Sequence, residues 1–224
     1  MKPFLRPVVV GLFAALVGTS TVAARSPTMS VSAQVVDCVA AVVTGRPVTL
    51  FDVRVAESFG LYAEETAGKP GSPRLLILDE IINQMAVLDL AREQVGPGPD
   101  EVAAAMARLI ERLGPDTVTR RLADLGLTEG DLRAVVAERV QYRQVLALRF
   151  SQPPAVSLRE IEAYYEETFI PERRKQGATP EPMIDVLDRL EARIREEKRA
   201  AQVAAWVRDV RRQTAVELRP DCLK

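Results

Sequence analysis

Residues 183–213 read MIDVLDRLEARIREEKRAAQVAAWVRDVRRQ, and residues 216–219 read VELR. The first stretch has no Gly or Pro and is rich in Ala, Leu, Arg and Glu. It therefore predicts a helix of about 45 Å at 1.5 Å per residue. Pro182 suits a first helical turn, and Asp185/Arg189 and Glu191/Arg195 have the spacing of (i, i+4) ion pairs. Met183, Val186, Leu187, Leu190 and Ile194 form one apolar stripe, and Val203, Trp206, Val207 and Val210 form another. From Ile194 to Val203 the helix turns about 900° at 100° per residue, which puts the stripes half a turn apart. The two halves should bury opposite faces against different partners, unless the charged run at 195–199 kinks the stretch into two ordinary helices. Val216-Glu217-Leu218-Arg219 then alternates with the period of a strand until Pro220, and a lone strand must pair elsewhere in the chain.

The chain has 224 residues, 47% apolar and 27% charged, enough for one or two globular domains. Its net charge of −1 gives no support for nucleic-acid binding. It contains no histidine, which removes His-based general bases, catalytic triads and most zinc sites. No nucleotide fingerprint, metal-ligand cluster or nucleophile elbow is present, so no catalytic residue, metal ligand or cofactor is nominated. Acidic pairs such as Glu64/Glu65 and Glu166/Glu167 read as solvated surface.

Residues 1–24 resemble a secretory signal peptide. Lys2 and Arg6 precede an apolar core at residues 8–17, and Thr21-Val22-Ala23-Ala24 supplies a cleavage zone, with cleavage expected after Ala24. The apolar run is too short to span a bilayer, so no membrane span is expected after cleavage; an uncleaved anchor is the alternative. Removing Lys2 and Arg6 would leave 28 basic against 31 acidic groups, a net of −3.

Residues 35–43 are apolar and β-branched, most simply a strand, and Thr44-Gly45-Arg46 supplies a turn. Thr49 and Asp52 form a capping box for a helix to about Phe59. A loop at 67–73 precedes the most apolar helix, 75–95, which is expected to be central, and Gly96-Pro97-Gly98-Pro99 stops it. Further helices are read over 100–113, from Pro115 to Leu125, and from the Thr128/Asp131 cap to about Phe150. Another opens at the Ser157/Glu160 cap and includes Tyr165 and Phe169. Residues 171–182 read as a polar linker. The fold class is mainly α, about seven helices, with a small β element pairing the mature N-terminal strand with the C-terminal one.

Cys38 and Cys222 are the only cysteines. If export holds and the two terminal strands pair, their sulfurs come close enough for a disulfide; a buried thiol at Cys38 with a loose tail at Cys222 is the alternative. Met85, Met106 and Tyr142, with Met183, Leu187, Leu190 and Ile194 from the first stripe of the long helix, are the candidate peptide-binding residues. Flexible Met and amphipathic aromatics suit adaptable surfaces, and they equally suit an ordinary core.

VAAVVTGRPVTLFD (39–52) resembles the opening of the SurA-type periplasmic chaperones, in which a strand, a glycine turn and a short strand lead into the first helix. Thr44 stands where Asn is usual. LLILDEIINQM (75–85), GLTEGDLR (126–133), SLREIEAYY (157–165) and the closing segment 206–218 are similar to later helices and the final strand of that family. The resemblance implies a chaperone domain formed by residues 25–170 and 183–224, acting in the periplasm. It would bind unfolded or extended polypeptides, such as outer-membrane proteins in transit, without ATP. Family members carry parvulin-type prolyl isomerase domains after the Tyr-Tyr helix. Here only residues 168–182 occupy that interval, so isomerase activity is not carried over and ranks third. The second reading is an envelope adaptor, or a homodimer, assembling through the long helix.

Overall fold

A computed structural model describes residues 37–91 and 96–223. The expected signal peptide with its cleavage site at Ala24, the first two residues of the strand read at 35–43, and the end of the helix read at 75–95 lie outside the described residues.

The fold is mainly helical with one three-stranded antiparallel sheet. β1 (Val39–Val43) and β2 (Arg46–Thr49) form a hairpin around a two-residue turn, where Thr44 and Gly45 have φ of 47° and 81°. Both positive values match the hairpin turn whose twist fits paired strands, and only Gly45 adopts it without strain. β3 (Val216–Leu218) lies on the other side of β1, pairing Val43 with Val216 and Ala41 with Leu218, which gives the sheet order β2-β1-β3. The C-terminal segment thus completes a sheet begun near residue 39. A disulfide between Cys38 and Cys222, with Cα atoms 5.9 Å apart, fastens the same junction.

The sequence caps are in place. Thr49 and Asp52 box the start of α1 (Leu50–Phe59), and Thr128 and Asp131 do the same for α6 (Glu129–Arg149). Asp37 adds a tie the sequence did not signal: its carboxylate accepts from the backbone N–H groups of Cys38 and Phe51 at 2.8 and 3.1 Å. Between α1 and α6 come α2 (Ala63–Thr66), α3 (Pro73–Leu90), α4 (Pro99–Leu113) and α5 (Pro115–Leu125). α3, the expected central helix, carries Ile77, Leu78, Ile81, Ile82 and Met85 against the sheet and α1. A second core joins Val55 and Phe59 of α1 to Met106, Leu109, Val118, Leu132 and Val136.

Past residue 150 the chain departs from the sequence reading. α7 (Leu158–Tyr164), boxed by Ser157 and Glu160, continues through a π-helical turn (Tyr165–Phe169) into α8 (Ile170–Lys175). The first part of the expected linker is therefore helix. Pro171 would clash with the carbonyl four residues back in a regular α-helix; the wide π turn ahead of it, with Pro171 in the first turn of α8, removes that conflict. The rest of the linker is held down. Glu181 accepts from Arg173 and Arg189 through its side chain and from the Tyr165 hydroxyl through its carbonyl.

α9 (Met183–Gln213) is one continuous helix, and its two stripes take different partners. Val186, Leu190 and Ile194 pack with Ile161 and Phe169. Val203, Trp206, Val207 and Val210 pack with Ala86 and Val87 of α3 and with Tyr142 and Val145 of α6. Lys198, from the charged run between the stripes, reaches Glu160 Oε1 and the Ala155 carbonyl, both at 2.7 Å.

Candidate functional site

A groove of about 770 Å³ lies where α9 crosses α3 and α6. It exists because small residues stand where large ones would close it: Ala200 and Ala204 on α9 and Ala147 on α6. Tyr142, Leu146, Val203 and Val207 make its apolar floor. The rim is charged and partly fixed. Arg211 binds Asp79 at 2.6 Å and Asn83 at 3.0 Å, and Lys69 binds Glu80 at 2.8 Å. The Arg211 bonds tie the C-terminal half of α9 to α3 beside the groove, and the Lys69 bond holds the preceding loop to α3.

Under the floor lies a buried polar cluster. Arg139 is 5% exposed and Gln84 3%, in an otherwise apolar interior. The Arg139 guanidinium is paired with Glu65 and donates to Gln84 Oε1 at 3.4 Å, which also accepts from the Tyr62 hydroxyl at 3.1 Å. The guanidinium carbon sits 4.3 Å from the ring centre of Tyr62 and 5.6 Å from that of Tyr142. Two electron-rich faces, a carboxylate and an amide oxygen thus satisfy a cation that would otherwise be too costly to bury. Burial pushes the Tyr142 hydroxyl up to about 12 and that of Tyr62 higher still, so both remain neutral donors at physiological pH.

A second, smaller space of about 330 Å³ adjoins this cluster, lined by Arg108, Arg112, Arg139 and Arg143 and by Glu64 and Glu65. Arg112 is fixed there by donating to the Phe59 carbonyl at 2.9 Å, at the end of α1. Gly60 suits this point because its φ is 57°, and a side chain there would meet Arg112 Nη1 at 2.9 Å and displace the end of that arginine. Among the described residues no group of three or more Cys, Asp or Glu converges on a metal-sized site, and no helix is long and apolar enough to cross a membrane.

Of the residues nominated from sequence, Tyr142 lines the groove. Met85, Met106, Leu190 and Ile194 are buried core residues in three separate clusters, and Met183 and Leu187 are half-buried at the far end of α9. The seven do not form one surface. Amphipathic spacing marks a buried face and an exposed binding face alike, and here it marked the buried ones. What the sequence reading missed was the alanines. Ala200 and Ala204, one turn apart in a stretch that also holds Ala201 and Ala205, are the signal that space is left open.

The sequence matches no protein-family model and no curated protein at a significant level.

Proposed function

We propose that this protein is an ATP-independent chaperone of the periplasm that holds extended, apolar segments of unfolded polypeptides in the groove between α3, α6 and α9. The observation that carries this reading is the groove itself: an open apolar floor with a charged rim on a rigid helical frame. Such a floor binds by apolar burial, which tolerates many sequences, while the rim keeps the empty site soluble. The closing strand at the chain's end and the Cys38–Cys222 bridge also favour it, since both agree with the chaperone resemblance and with an oxidising compartment. Where that resemblance would place an isomerase domain, α8 is joined to α9 by residues 176–182 alone, so the reading is of a binding protein without that enzyme. Assembly through the first stripe of α9 is less favoured, because Val186, Leu190 and Ile194 are already covered within the chain.

The test is suppression of aggregation. Protein at near-stoichiometric ratio should keep a denatured outer-membrane protein in solution on dilution, without nucleotide. Ala204→Trp, which fills the groove from an exposed position, should lose most of that effect while keeping its thermal unfolding midpoint. Failure of the unaltered protein to suppress aggregation would reject the proposal.

A further inference from the structure

Arg143 stands where three spaces adjoin. It lines the groove, the arginine-rich pocket of about 330 Å³, and a third space of about 450 Å³ that it shares with Arg108 and Ala147. Arg108 and Arg143 have no hydrogen bond or ion pair among the described residues, whereas Arg139 has Glu65 and Arg112 has the Phe59 carbonyl. Desolvation, then the like charges of Arg139 and Arg108, lower the Arg143 pKa against the pull of Glu65 and Glu64. Arg143 at the groove and Arg108 in the two adjoining spaces are thus neighbouring cationic forks with no hydrogen-bonded partner. On the opposite rim Arg199 and Arg208 are likewise unpaired, and these four cations outnumber the three acids without a cationic partner, Glu64, Glu196 and Glu101, the last of which accepts only from the Gly98 N–H and the Gln144 amide. The free charge around the groove is therefore positive, although the chain as a whole is slightly acidic.

We propose that the groove selects apolar polypeptide segments carrying a carboxylate, with Arg143 and Arg108 receiving that carboxylate while the apolar flank lies on Leu146, Val203 and Val207. A guanidinium fork matches a carboxylate in two parallel hydrogen bonds, and a free cation beside an apolar surface gains more from that bond than one in open water. The carboxylate can be an Asp or Glu side chain or a free C-terminus; both present the same group. This inference rests on the groove being the polypeptide site.

The experiment measures fluorescence anisotropy of a labelled synthetic peptide alternating Phe and Ser. It is prepared with a C-terminal carboxamide, with a free C-terminus, and as the carboxamide with one internal Asp. The two carboxylate peptides should bind about fivefold tighter than the carboxamide, the scale of a partly screened ion pair. The margin should shrink in 1 M salt. Arg108→Gln with Arg143→Gln should abolish the margin, so that the three peptides bind this variant alike, while Arg174→Gln, at an exposed position on α8, should keep the margin. A tighter free C-terminus alone, or a tighter Asp peptide alone, would identify which source of the carboxylate is used. Equal binding of all three peptides would overturn the selectivity while leaving the groove as the binding site. No binding of any of them would overturn both.

Discussion

Thr44 is the described non-glycine residue with positive φ, at 47°, in a turn where a β-branched side chain is strained. Its backbone N–H donates to the Ala215 carbonyl at 2.9 Å, so the strained residue sits where the hairpin meets the returning chain. Thr44→Asn keeps that bond and relieves the strain. It should raise the stability by about 0.5–1 kcal/mol in urea unfolding, with no change in the slope. Arg139 is the opposite case, a charge held by its surroundings. Arg139→Met leaves Glu65 facing a partly closed interior and removes a partner of Gln84; the expected loss is about 2 kcal/mol, less than for a fully buried pair because Glu65 keeps some water. Glu160 gives a pH dependence. Lys198, and then the backbone and hydroxyl of Ser157, hold its carboxyl down to about 2. A depressed carboxylate stabilises the fold when ionised. That contribution is complete above the ordinary carboxylate range and is lost as the pH falls toward 2. Stability should fall on acidification from about pH 5, and the deficit of Glu160→Gln at neutral pH should close toward the acid end. The caps at Thr49, Thr128 and Ser157 were legible in the sequence because capping is local. Arg139 was not, because nothing within a few residues of it says that Tyr62, Glu65 and Gln84 fold around its head group.

α9 shows how far periodicity can be read. The half-turn offset between its stripes followed from counting residues, and the helix does divide its contacts between α7 on one side and α3 with α6 on the other. Which stripe lay open did not follow, since spacing reports that a face is apolar and not what covers it. The cover for the first stripe is Ile161 and Phe169, and it depends on the π turn that carries the chain past Pro171. Leu190→Ala should remove about 3 kcal/mol of local packing. The loss should appear first as protease sensitivity between residues 150 and 195, with β1 and α3 still protected from hydrogen exchange, because the two halves of α9 belong to different cores.

The molecule as a whole is closed at the junction of β1, β3 and the Cys38–Cys222 bridge, which joins residues 184 apart in sequence. The chain-entropy model assigns a loop of that length about 5 kcal/mol, an upper figure for what the bond contributes. Thermal unfolding with and without reductant should therefore differ by many degrees, and reduction should loosen β3 and the C-terminal half of α9 together. Loss of that frame would also open the wall of the groove formed by α9, so the bridge supports the proposed site without touching it. Polypeptide binding in that groove is tested most directly by placing a photo-crosslinking amino acid at Ala147 or Ala204, in the groove, and at Ala123, exposed on α5, and irradiating with a denatured outer-membrane protein. Adducts from positions 147 and 204, and few from 123, are the expected result. Equal labelling at all three positions, or none in the groove, would contradict it.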